Sequence, residues 1–347
     1  MPHTTKWVLA VSLLCMPARA LSPPTWRTET LATGAALSVM YAGAPPGSAP
    51  VILFLHGFPE GSYSWWPLLA AGHLDAYTLV APDQRGYNAS FAADTAGDAS
   101  LLVSQLAADA LALIDLLGGA AHVVAHDWGG GVAWWLACQQ LPAMLSLTIL
   151  NMPHPMGWWE GIQRVPAQQQ ASAYVLSFIR AGFSDYLTAD DSAVLRSWFK
   201  NDQWFAGAAE AALAASWRVR GSVNASLGWY RENVRVRAPP NCTEWQCFDQ
   251  GVSGPFGAMP NNGSLAPALR VRVLWGMADT AFDNEWQLAY MAAKVPAAQL
   301  AVTRYPAASH WIAQELPEEM ARQVAAFVGG GGGGGGAPGA LAMAAGQ

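Results

Sequence analysis

Residues 121–131 read AHVVAHDWGGG, and the change of character at Asp127 decides the fold. An apolar run over 122–125, the mark of a buried strand, stops near an acid, and a helical pattern over 128–140 starts at once. A chain that turns so sharply from strand to helix needs small neighbours. Ala125, Gly129 and Gly130 supply them, since bulkier side chains would clash across the bend. The motif G-x-S-x-G builds this kind of bend around a nucleophilic serine. Here the apex is Asp127, and no G-x-S-x-G occurs anywhere in the chain. The plainer reading of Asp127 is a helix N-cap, a position that aspartate favours.

On either side of this bend, short apolar runs alternate with longer helical patterns. Residues 51–55, 77–81, 145–150, 271–275 and 300–304 read as further strands. Residues 101–117 (LLVSQLAADALALIDLL) have helical spacing and close on Gly118-Gly119, and 317–328 form another helix candidate. The alternation predicts an α/β fold, a mainly parallel sheet flanked by helices on both faces. From about 152 to 269 strand runs vanish, and stretches rich in Trp, Tyr, Phe, Ala and Gln take over. The expected organisation is therefore a core of residues 21–152 plus 270–328, with a helical lid inserted at 153–269.

Composition bounds the function. The chain has 347 residues, of which 52% are hydrophobic, 11% aromatic and only 12% charged, with 17 Trp; a chain this apolar folds around a large core. The net charge of −6 with no basic block argues against nucleic acid as a partner. No run of about 18 apolar residues suggests a membrane span. Residues 1–20 carry Lys6, an apolar run over 7–16 and Ala18-Arg19-Ala20, with no acid before Glu29, and so read as a secretory signal peptide. Entry to the secretory pathway or export is the expected localisation, and an organelle interior after removal of a transit peptide is the alternative. Cys242 and Cys247, close together in a turn-rich stretch, are expected to pair in such a compartment. Zinc lacks further ligands there, and no metal or cofactor is expected. Sequons begin at Asn88, Asn224, Asn241 and Asn262. Residues 329–347, opening with eight glycines, read as a flexible tail without chemistry.

Two further segments carry candidate chemistry. Residues 55–61 (LHGFPEG) form a tight turn after a strand, so backbone amides gather at the carboxyl end of the sheet. The amides of Phe58 and Trp128 are the expected oxyanion hole, with His56, Gly57 and Pro59 as the structural frame of the turn and a cis Phe58–Pro59 bond aiming the Phe58 amide. Residues 271–283 (VRVLWGMADTAFD) and 305–318 (YPAASHWIAQELPE) each run from strand to loop, carrying Asp279 and His310. An imidazole titrates near neutrality and can take a proton from water, while a carboxylate orients it. Asp127, Asp279 and His310 are thus the expected nucleophile, acid and base, in the chain order of α/β-hydrolases, with Asp283 the alternative acid.

Taken together, HGFPE (56–60), DQRGYN (83–88), HDWGG (126–130), GMAD (276–279) and SHW (309–311) resemble the α/β-hydrolase-fold epoxide hydrolases of the soluble kind, over residues 31–328. That resemblance implies the α/β-hydrolase fold with its lid, and an aspartyl ester intermediate on the way from epoxide to vicinal diol. It also implies two lid tyrosines that hydrogen-bond the opening oxygen. AYVLSFI (173–179) and LGWYREN (227–233) offer Tyr174 and Tyr230, with Tyr186 the substitute for Tyr174. The partners implied are water and a small apolar epoxide, lipid or aryl, suggested by Trp198, Trp204, Trp217, Trp229, Trp245, Phe178 and Phe183 in the lid. Nothing in the sequence sets the oligomeric state. Two rivals stay open: a haloalkane dehalogenase, which shares the Asp nucleophile and a Trp after it, and a catalytically silent binding protein of the same fold.

Overall fold

The computed structural model describes residues 22–90, 98–199, 202–234 and 259–330. The signal-peptide reading, Cys242, Cys247, Trp245, the sequon at Asn241 and the tail beyond Gly330 lie outside the described residues.

Eight strands form one sheet: β1 Thr25–Thr30, β2 Ala36–Gly43, β3 Val51–Leu55, β4 Thr78–Pro82, β5 Ala121–His126, β6 Met144–Leu150, β7 Val271–Gly276 and β8 Leu300–Tyr305, in the order β1-β2-β4-β3-β5-β6-β7-β8. From β4 to β8 every pairing is parallel, while β1–β2 and β2–β4 are antiparallel. The helices are α1 Trp66–Leu69, α2 Val103–Leu116, α3 Asp127–Cys138, α4 Pro155–Arg164, α5 Pro166–Ala171, α6 Tyr174–Phe178, α7 Phe183–Trp198, α8 Ala208–Trp217, α9 Ser222–Asn233, α10 Asn284–Lys294, α11 Ile312–Glu315 and α12 Pro317–Gly329. This is the expected α/β-hydrolase fold.

Strand periodicity builds the two faces. Leu53, Leu55, Val123 and Val273 point toward α2 and α3, whereas Ile52, Phe54, Val124 and Leu274 point toward α1 and α12. Two strands escaped the sequence reading. In β1 (TWRTET) most side chains are exposed, and β2 at its side mixes apolar and small residues, so neither shows as an apolar run.

Helices α4 to α9 leave the sheet after β6 and return before β7. Two lid tryptophans fasten them to the core: the Trp217 indole N–H donates to the Pro59 carbonyl at 2.7 Å, and that of Trp229 to the Arg85 carbonyl at 3.0 Å. Of the sequons, Asn224 and Asn262 are exposed, while the half-buried Asn88 amide donates to Asp83 at 2.9 Å. Cys138 is buried in α3, where burial pushes its thiol pKa up to about 12, the mark of an inert packing residue. Among the described residues no helix is long and apolar enough to cross a membrane.

Candidate active site

β3 and β5 are neighbours, and the chain leaves them in opposite directions along the sheet, so a crevice opens at their carboxyl ends. Asp127 stands in that crevice with φ of +47°, a left-handed conformation that an aspartate holds only under constraint. The constraint is the close pass of β5 into α3. A Cβ on Gly129 would lie 2.2 Å from the Leu55 carbonyl oxygen, and one on Gly57 would lie 2.3 Å from the Asp127 Cβ. Glycine at both places lets the Asp127 carboxylate rise beside the turn that follows β3.

That carboxylate is divided between two partners. The Phe58 amide donates to Oδ1 at 2.8 Å, next to a Phe58–Pro59 peptide that is cis. Oδ2 faces His310 Nε2 at 3.5 Å. His310 Nδ1 donates to Asp279 Oδ2 at 2.7 Å, so the imidazole bridges two carboxylates. Burial opposes its charge, but Asp279 and Asp127 outweigh that and raise its pKa well above the ordinary value. Burial would likewise raise the Asp127 pKa, but hydrogen bonding and charge from His310, the charge of His126 and the Phe58 amide bring it below the ordinary carboxylate range.

The alternative acid, Asp283, caps α10 by accepting from the Trp286 amide at 3.2 Å. Tyr174 and Tyr230 both face the cavity that holds Asp127 and His310, whereas Tyr186 is 58% exposed. Burial, reinforced by the negative charge of Asp127, raises both cavity tyrosines well above the usual phenol value, so they stay protonated. Trp128, the second residue of α3, packs its indole edge-on against the Tyr230 ring, 4.9 Å between centroids. His56 is buried; its Nδ1 donates to the Gly57 carbonyl, and its Nε2 accepts from the Gln84 amide. Of the lid aromatics, Trp198 and Phe178 line the cavity. Trp204, Trp217 and Trp229 do not, and Phe183 packs behind Phe178 at 5.7 Å. The cavity has a volume of about 460 Å³.

Three residues that sequence reasoning had not assigned a role hold this geometry. Asn151, at the end of β6, donates to Asp279 Oδ2 at 2.7 Å and to the Gly276 carbonyl at 3.1 Å, and its own Oδ1 accepts from the Gly276 amide at 2.8 Å. Its φ of +42° marks a second constrained strand end. The other two are the buried pair Glu60 and His126. Glu60 accepts from His126 Nδ1 at 2.7 Å and from the Gly57 amide at 3.0 Å. His126 Nε2 donates to the His310 carbonyl at 2.9 Å, which ties the loop of the base to the turn of the oxyanion donor. Among the described residues no group of three or more His, Cys, Asp or Glu side chains is placed to hold a metal ion.

An ionised carboxylate with one oxygen held and the other open to a cavity is a nucleophile, and a His–carboxylate pair beside it can activate water. Phenol hydroxyls across the cavity are hydrogen-bond donors to an oxygen that acquires charge.

A family model described as alpha/beta hydrolase fold matches residues 50–315. The chain is 30% identical over 290 residues to epoxide hydrolase 1 of Caenorhabditis elegans, covering 80% of this chain and 65% of that protein. It is 28% identical over 314 residues to human epoxide hydrolase 4, covering 87% and 79%. A mutant epoxide hydrolase from Bacillus megaterium superposes with a TM-score of 0.72 at 25% identity, over 87% of this chain and 100% of that one.

Proposed function

We propose that this chain, which belongs to the α/β-hydrolase fold family, is an epoxide hydrolase that converts its substrate to a vicinal diol through an ester on Asp127. The observation that carries the reading is the divided carboxylate. Oδ1 is held at 2.8 Å by the Phe58 amide, and Oδ2, 3.5 Å from His310 Nε2, attacks in a cavity that Asp127 shares with Tyr174 and Tyr230.

In the first half-reaction Asp127 Oδ2 forms a bond to one ring carbon as the carbon–oxygen bond of the ring breaks. The epoxide oxygen takes a proton from a tyrosine hydroxyl, because an alkoxide is a far stronger base than even a buried phenolate. Both lid tyrosines are held protonated by burial, so the donors persist at neutral pH. In the second half-reaction His310, oriented by Asp279, takes a proton from water, which adds to the Asp127 ester carbon. The negative charge then develops on Oδ1, where the Phe58 amide already points. We assign the Trp128 amide as the second donor, each worth roughly 100- to 1000-fold in rate. When the tetrahedral intermediate collapses, the bond from the ester carbon to Oδ2 breaks. The diol leaves with that oxygen and the proton from His310. Asp127 keeps the oxygen of water, and the second proton of that water returns to the tyrosine, which restores both the carboxylate and the phenol.

Oxygen bookkeeping tests this sequence directly. A single turnover in heavy-oxygen water should label Asp127 and leave the first equivalent of diol unlabelled, as read by mass spectrometry of peptide and product. Label in the diol with none in the protein would overturn the mechanism.

The charges also set a pH dependence. In the resting enzyme the two carboxylates raise the pKa of His310, and esterification removes one of them, Asp127. The proton affinity of His310 therefore falls once the ester forms, which frees it to act as a base. Alkylation needs an ionised Asp127, whose pKa is depressed, and protonated tyrosines, whose pKa values are raised, so this half persists into acid. Hydrolysis needs neutral His310 and fails first as pH falls. Rapid-quench mass spectrometry should find the alkylated fraction rising as pH is lowered, and a falling fraction would contradict the assignment.

Phe58, Phe178, Trp198 and Trp311 wall the cavity, which supports an apolar substrate, lipid or aryl.

A further inference from the structure

On the epoxide-hydrolase reading, the ring lies between Asp127 and the two tyrosines, and its two carbons face different spaces. One is the 460 Å³ cavity already described, reaching past Phe178 and Trp198. The other is a hollow of about 10 Å³ walled by Trp128, Met152, Trp158 and Phe282. The two share only Asp127, Tyr174 and Tyr230 among their lining residues, so they meet where the ring must sit. About 10 Å³ is the room of a single water molecule.

The small side is built to stay small. Trp158 is 2% exposed, and its indole N–H donates to Ser172 Oγ at 3.0 Å. That hydroxyl also accepts from Gln168 Nε2 at 2.7 Å, so the tryptophan is fixed inside a buried polar network. The Trp158 ring meets Trp128 edge-on, with centroids 6.1 Å apart. Met152 packs its side chain against Gly130, where a Cβ would come within 2.6 Å. Phe282 is likewise buried. A carbon chain entering this side would have to displace close-packed rings, a cost that well-packed cores impose on added methylenes.

We propose that Trp158, with Met152 and Phe282, makes the enzyme selective for terminal epoxides, which carry a bare methylene on one ring carbon, over internal epoxides with chains on both. The bulky arm occupies the large cavity, and the hydrogens of the bare methylene face the hollow. This places mid-chain lipid epoxides outside the substrate class and keeps terminal alkyl and aryl epoxides within it.

The test compares two isomers of identical formula, 1,2-epoxyoctane and trans-4,5-epoxyoctane, so that overall hydrophobicity cancels. The wild-type enzyme should favour the terminal isomer by about 100-fold in kcat/KM, the range a closed pocket imposes on excess carbon. Trp158→Ala should narrow that ratio by about tenfold or more through faster hydrolysis of the internal isomer. Met152→Ala provides a second opening, one that leaves the Trp158–Ser172 hydrogen bond in place. A wild-type ratio near one, or a ratio unmoved in every variant that folds, would overturn the selectivity proposal and leave the epoxide-hydrolase reading intact. Absence of diol from both isomers would instead reject that reading.

Discussion

Asp127→Ala should lose diol formation by about 10⁴- to 10⁶-fold, the scale on which removal of a catalytic nucleophile acts when its partners work as one unit. No neighbouring carboxylate can stand in. Asp279 is occupied by His310, Asn151 and the Ala281 amide, and Glu60 is bound by His126 and the Gly57 amide. The substitution removes no core packing, and the left-handed φ of +47° at this position costs alanine about 1 kcal/mol. The variant should therefore fold, with a circular dichroism spectrum like that of the parent. Diol formation from 1,2-epoxyoctane within tenfold of wild type would mean that the ester on Asp127 is not on the pathway.

His310→Gln should stop turnover at the opposite end of the cycle. Alkylation does not use His310 as a base, and although His310 is the largest influence lowering the Asp127 pKa, the charge of His126 and the Phe58 amide remain in the variant. Ring opening then still proceeds near neutral pH, while no group is left to take a proton from water. Intact-protein mass spectrometry should show one adduct per chain, heavier by the mass of the epoxide. The double variant with Asp127→Ala should show none. A His310→Gln enzyme that turns over freely, or an adduct that survives removal of Asp127, would contradict the division of labour between the two half-reactions.

How much of this was legible beforehand follows from the range of the interactions involved. Buried parallel strands are apolar on both faces, so β3, β4, β5, β6 and β7 stand out as runs, and the half-exposed edge strand β8 still shows in its apolar start, Leu300-Ala301-Val302. β1 is mostly exposed, and its side chains follow no apolar pattern that would mark it as a strand. Asp127 could be found because one of the two glycines that make room for it, Gly129, is only two residues away; the other, Gly57, is distant in sequence. Asp279 and His310 stand beside it in short loops after strands, with residue types that suit their chemistry. Asn151 gave no such signal. Its partners are 125 and 128 positions away, and an asparagine after a strand looks like any loop residue until the sheet brings β6 beside β7. The Glu60–His126 pair is hidden for the same reason, because HGFPE and HDWGG show both residues without showing that they touch. Of the lid aromatics, Trp217 and Trp229 turned out to be fasteners, because an indole N–H that reaches a carbonyl of the core is invisible in a count of tryptophans.

The Asn151 cross-link has one more consequence. It lies where the main chain quits the sheet for the helical excursion that begins with α4, and is tied to the strand on which the chain resumes. The gap left by that excursion is thus sutured from within, and the alignment of Asp279 is maintained by a neighbour on the permanent side of the suture. The walls spliced in above can change around Tyr174 and Tyr230 without loosening the acid that orients the base beneath.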